Sequence, residues 1–191
     1  MIKDSWRDKT AALTETLAAL AVTDRPGAVL EPDQAFAALA ELAGDLKKNR
    51  RTLFLIGNGA SAGLASHFAL DLMKNGRFKT SVLTDPAAVT AWGNDLSYEE
   101  IFSAPLEICL EPGDALAAVS SSGRSPNILR GCRAALAAGV KIVTFSALKP
   151  DNPLRSSGDL NFYIPAPTYG LAESGHAAIL HHWVDLLSGG K

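Results

Sequence analysis

Apolar side chains recur along this chain with two periods, and the alternation between those periods sets the expected architecture. Residues 6–22 are rich in Ala and Leu, and Leu13, Leu17 and Leu20 repeat at helical spacing. Thr23-Asp24-Arg25-Pro26-Gly27 breaks that pattern with turn-forming residues. A second helix is expected over 32–48, where Phe36, Leu39, Leu42 and Leu46 share one side. Lys47, Lys48 and Arg50 then suit the negative end of its dipole. From residue 52 onward short apolar runs take over. Residues 52–56, 80–83, 115–119, 140–145 and 160–164 read as strands, and 61–75, 98–110, 125–138 and 171–187 as helices. Such alternation implies an α/β fold, a parallel sheet with helices on both faces. The two N-terminal helices either cover one face of that sheet or join copies of the chain. Ligands of such sheets bind beyond the carboxyl ends of the strands. Two turns rich in Gly and Ser, 57–61 and 120–125, fall there.

Composition narrows the partners. At 191 residues and 47% hydrophobic, the chain can form one domain with a sizeable core. A net charge of −2 gives no electrostatic reason to expect nucleic acid or an anionic membrane. Cys109 and Cys132 form no motif, so a reducing compartment is the default. Residues 1–8 mix charges of both signs without an apolar stretch, unlike a leader peptide. No run approaches the roughly 20 uninterrupted apolar residues of a membrane span. A cytoplasmic protein is expected.

The strongest chemical signal is Ser120-Ser121-Ser122-Gly123-Arg124-Ser125, running from an apolar strand into a helix that opens Ser125-Pro126. Ser125 suits the N-cap, and proline suits the first helical position, where an N–H would lack a partner. Four hydroxyls converge on a helix N-terminus, whose orphan N–H groups and dipole favour an anion. The natural guest is a phosphate on a small molecule. The earlier turn, Gly57-Asn58-Gly59-Ala60-Ser61, is not a dinucleotide fingerprint, because Ala62 stands where G-x-G-x-x-G needs its third glycine. Gly57 and Gly59 still permit a tight turn and close backbone approach, and Ser61 can cap the next helix or touch a ligand.

His67 and Asp71 are four apart on one helical face, as a surface pair or as working groups. Three of the four histidines, His176, His181 and His182, share the last helix with Glu173. Carboxylates and imidazoles together serve as general acid and base or as N/O ligands for zinc or a similar metal, and spacing alone does not choose. Glu173 and His181 share no strict face, since eight residues overshoot two turns by roughly 80°. His182 points elsewhere. Asn94-Asp95, after Trp92-Gly93, is expected in a loop, where Asp95 binds a sugar hydroxyl or caps the next helix.

Taken in order, these blocks resemble the SIS (sugar isomerase) domain and, within it, the phosphoheptose isomerases. Gly57-Asn58-Gly59-Ala60-Ser61-Ala62 continuing to His67 and Asp71 is similar to the family's G-N-G-G-S-A…H-x-x-x-E. Gly93-Asn94-Asp95 leading to Ile101-Phe102 is similar to G-N-D…I-F, and the serine loop to S-T-S-G-N-S. Glu173, His176 and His181 follow Q-x-x-H-x-x-x-x-H. The resemblance spans nearly the whole chain. It implies a three-layer SIS sandwich over residues 51–191 and an N-terminal helical oligomerisation segment over 1–50. It also implies a homotetramer with active sites shared between subunits. The implied reaction converts sedoheptulose 7-phosphate into D-glycero-D-manno-heptose 7-phosphate through an enediol. Ser120, Ser121, Ser122 and Ser125 would hold the phosphate, and Asn58, Gly59, Ser61 and Asp95 the sugar. Asp71 would be the base and His181 its partner, with zinc held by His67, Asp71, Glu173 and His181.

Two positions depart from the family. Asp71 replaces its glutamate and is one methylene shorter, and Glu173 replaces its glutamine. Displacing a base by near 1 Å can lower a rate about 10²-fold. The base role then moves to Glu173, or a metal is held more tightly, or the substrate is another phosphosugar. A nonenzymatic tetrameric scaffold related to the same subgroup is the competing expectation. His181 favours the isomerase, since that sister group usually lacks the histidine. A sugar-phosphate-sensing regulator would normally carry a basic helix-turn-helix, which the first 50 residues do not show.

Overall fold

The computed structural model describes residues 5–189; the first four residues of the 1–8 segment and residues 190–191 lie outside it. Helix α1 spans Trp6–Ala18, capped by reciprocal Ser5–Asp8 bonds, and is followed by strands β1 (Ala21–Asp24) and β2 (Val29–Leu30). Helix α2 (Pro32–Asn49) leads to β3 (Thr52–Gly57), α3 (Ala60–Asp71), a π-helical turn (Leu72–Gly76) and β4 (Lys79–Val82). Helix α4 (Pro86–Asp95), a 3₁₀ turn (Tyr98–Glu100) and α5 (Ser103–Cys109) precede β5 (Ala115–Ser120) and α6 (Pro126–Ala137). Strand β6 (Lys141–Ser146), β7 (Leu160–Tyr163) and α7 (Tyr169–Ser188) complete the chain.

The seven strands form one sheet in the order β2-β1-β7-β6-β5-β3-β4. Strands β3 to β7 are parallel, whereas β1 runs antiparallel to both β2 and β7. Side chains alternate across the sheet. Leu53, Leu55, Ala115, Ala117, Val119, Val143 and Phe145 face a core shared with α2, α3 and α7. Phe54, Ile56, Leu116, Ala118 and Ile142 face a second core with α5 and α6. The result is the expected three-layer α/β sandwich.

Three local assignments need correction. Residues 21 and 22 leave the first helix and join β1, where Val22 is fully buried opposite Phe162. Valine is β-branched and better suited to a pleated surface than to a helix. Asn94 and Asp95 form the last turn of α4 rather than a loop. Asp85 starts that helix by accepting bonds from the Ala87 and Ala88 N–H groups, with Pro86 at the first helical position. The helix expected over 98–110 divides into the 3₁₀ turn and the short α5. Both cysteines are free, Cys109 exposed and Cys132 buried, and burial pushes the Cys132 thiol up to about 12. Among the described residues no helix is long and apolar enough to cross a membrane.

Candidate active site

The ends of β3 and β5 deliver two turns to the same edge of the sheet. Gly57 closes β3 where a Cβ would collide with the backbone of Ser61, so the α3 N-terminus can fold tightly back. Gly123 sits at φ +60°, and a Cβ there would strike the Asn152 side chain. Asn152 is buried and donates to the Lys149 carbonyl at 2.8 Å, which makes it a rigid brace beneath the loop.

Between these turns lies a cavity of about 140 Å³ lined by Asn58, Ser61, Ser120, Ser121, Ser122, Ser125, Tyr169 and Glu173. Its hydroxyls are poised as donors. Ser120 Oγ accepts from the Gly123 N–H at 3.2 Å and Ser122 Oγ from the Arg124 N–H at 3.3 Å, which leaves each O–H proton uncommitted. Ser121 Oγ is buried with no partner at all, a state that calls for a ligand. Ser125 occupies the N-cap of α6 without making a capping bond, so its hydroxyl is also free. Arg124 turns away to pair with Asp151 at 3.0 Å. Glu173 is the one charged residue among the lining groups. Gly59 is the N-cap of α3 and exposed. Asp95, exposed at the end of α4 and bonded to Asn94 Nδ2 at 2.9 Å, is not in the lining.

A second cluster lies further along α3 and α7. His67 Nε2 is 3.3 Å from Asp71 Oδ2, with side chains 52% and 17% exposed. The His67 and His181 rings meet edge to face at 5.6 Å, and His181 packs likewise on buried Phe68 at 4.7 Å. One donor atom each from His67, Asp71 and His181 falls within 4.8 Å of the others. Two imidazoles and a carboxylate suit zinc or a similar ion and leave a fourth position open. Glu173 is not in this group; it lines the serine cavity instead. His182 is exposed and packs edge to face on Phe36 at 4.5 Å.

The profile of the SIS domain matches residues 26–147. A phosphoheptose isomerase of Trichlorobacter lovleyi is 33% identical over 160 residues, covering 81% of each chain. The chain belongs to the SIS domain family, in its phosphoheptose isomerase branch. A phosphoheptose isomerase of Campylobacter concisus is 32% identical over 149 residues, 74% of this chain and 77% of that one. The fold agrees too: the structure of a phosphoheptose isomerase from Francisella tularensis superposes with a TM-score of 0.81 at 23% identity, covering 96% of this chain and 94% of the other.

Within this SIS fold, three residues that sequence reading passed over touch the site. Tyr169 lines the cavity. Asn127 exchanges two hydrogen bonds of 2.9 Å with Asn58, and the Tyr98 hydroxyl reaches Asn58 Oδ1 at 3.4 Å. Asn127 was legible as the second helical residue after Ser125-Pro126; no pattern announced Tyr98 or Tyr169.

Proposed function

We propose that this chain is an aldose–ketose isomerase that interconverts sedoheptulose 7-phosphate and D-glycero-D-manno-heptose 7-phosphate. The supporting observation is a spacing: the serine cradle and the His67–Asp71–His181 cluster flank one stretch of α3. From Ser61 the helix axis advances about 9 Å to His67 and about 15 Å to Asp71. With bonds near 1.5 Å, an extended seven-carbon 7-phosphate puts C1 and C2 roughly 10 Å from phosphorus. A phosphate in the cradle therefore brings the reacting carbons toward the cluster.

In this reading Ser120, Ser121, Ser122 and Ser125 donate to the phosphate, and Asn58, Gly59 and Ser61 flank the sugar chain. Asp71 and His181 move the proton. In the ketose-to-aldose direction one takes a proton from C1 and the other returns one to C2, while O2 gains a proton and O1 loses one through the enediol. His67, Asp71 and His181 fit a zinc-type ion, which when bound supplies Lewis-acid polarisation of a sugar oxygen. The chain works as a cytoplasmic homotetramer: α1 buries only Thr16 and leaves Trp6 81% exposed, a face suited to contact between copies. The test is the isomerase assay with sedoheptulose 7-phosphate on the wild type and on His181→Ala. We expect conversion by the wild type, and in the variant loss of turnover with phosphosugar binding retained. Full activity of the variant refutes the assignment.

A further inference from the structure

The orientation of the Asn58 side chain, and with it the chemistry it offers a ligand, follows from its neighbours. The starting point is a backbone group with no ambiguity. The Ile128 N–H can only donate, and it lies 3.0 Å from one terminal atom of the Asn127 side chain, which must therefore be Oδ1. Asn127 is buried at 2% exposure, so its amide has no freedom to turn toward solvent. Asn58 faces it in a reciprocal pair: Asn58 Nδ2 donates to Asn127 Oδ1 and Asn127 Nδ2 donates to Asn58 Oδ1, both at 2.9 Å. A flipped Asn58 would set oxygen against oxygen and nitrogen against nitrogen.

Each terminal atom of Asn58 has a fixed number of hydrogen-bonding sites, two acceptor positions on Oδ1 and two N–H groups on Nδ2. Asn58 Oδ1 takes the Asn127 N–H and, over a longer 3.4 Å, the Tyr98 hydroxyl, so both of its lone pairs are engaged. One Asn58 N–H is spent on Asn127. What remains for the cavity is a single N–H. The 3₁₀ turn that carries Tyr98 is anchored to α6, because Arg130 pairs with the carboxylates of Glu99, at 2.6 Å, and Glu100. Ser103 adds a bond to Glu100.

We infer that Asn127 and Tyr98 are positioning residues that lock Asn58 as a donor-only contact, so that this corner of the site selects a ligand oxygen that accepts a hydrogen bond and rejects one that must donate. The inference rests on the phosphosugar reading of the same cavity. Asn127 also ties the β3–α3 turn to the first turn of α6, so one amide pair couples the two walls of the cleft.

The experiment measures KM and kcat for sedoheptulose 7-phosphate, and inhibition by inorganic phosphate, in Tyr98→Phe, Asn127→Ala and the double variant. Each single change is expected to raise KM, by about tenfold for Asn127→Ala. kcat should change by less than roughly threefold and phosphate inhibition should stay unchanged. The double variant should fall short of the product of the single effects, since both act through one amide. Unchanged KM in Tyr98→Phe overturns the role of Tyr98, and this exposed isosteric change keeps the test decisive if Asn127→Ala does not fold. Equal weakening of phosphate, or strictly multiplicative effects, overturns the coupling. A wild type that binds inorganic phosphate but neither binds nor turns over the phosphosugar refutes the proposed function instead.

Discussion

At the scale of single residues, the unusual choice is Glu173. It places a carboxylate among uncharged donors in the cavity we propose for the phosphate, where a like charge in a partly buried setting raises the free energy of binding by an amount on the order of 1 kcal/mol. Glu173→Gln introduces the amide that the SIS resemblance implies at this position. We expect phosphosugar KM to fall by about tenfold, which corresponds to 1.4 kcal/mol, with turnover retained. Loss of turnover in steady-state assays would instead make Glu173 the base in place of Asp71. The Asp71 carboxylate is already engaged by His67 at 3.3 Å and lies within 4.0 Å of Lys74 Nζ. A shorter acid at this position is thus held by its own helix, immediately before the π turn, which carries the following residues out of regular α phase.

At the scale of elements, the parallel core was legible because its cues were redundant. Each of β3, β5 and β6 is a short apolar run bounded by turn residues, and the serine loop sits at the strand end where such folds bind ligands. Strand β1 was not legible, since Ala21 and Val22 continue the preceding helix in composition and only pairing with β7 reveals them. Helix α4 announces itself only at its start, where Asp85-Pro86 is an N-cap followed by a proline; none of its residues is buried, so no apolar stripe marks it. The His67–Asp71 pair and His181 were each visible, but their meeting depends on how α3 packs against α7, which no spacing encodes. This division predicts how truncations behave. Removing residues 1–19 takes away only the lightly buried α1 and should leave a folded protein of smaller assembly. Removing residues 1–30 also strips β1 from β7 and exposes the core around Val22, and should give an aggregated product. Size-exclusion chromatography and circular dichroism distinguish the two; a folded, soluble 31–191 chain would contradict the structural role of β1.

For the whole molecule, acid tolerance turns on the anchoring of α7. His176 is fully buried on that helix, and neither ring nitrogen has a hydrogen-bond partner. Burial pushes its pKa down to about 4, against a smaller opposing pull from the Ser146 carbonyl, which falls short of bonding geometry. A histidine in an unfolded chain titrates near 6.5. The unfolded state therefore binds the extra proton first, and stability is lost as pH falls from about 6.5 toward 4. The full difference is on the order of 3 kcal/mol, from 1.36 kcal/mol for each pKa unit. Thermal melts between pH 7.5 and 4.5 should show a falling Tm in the wild type and a flatter profile in His176→Gln. Parallel profiles would remove His176 from this account.

The antiparallel edge has a consequence in time. Val22 pairs with Phe162, so the partner of β1 is made 140 positions later. At ribosomal speeds of about 5–20 residues per second, β1 waits roughly 7–28 seconds before its mate emerges. During that interval a sticky ribbon hangs exposed, and chaperones have their opening there.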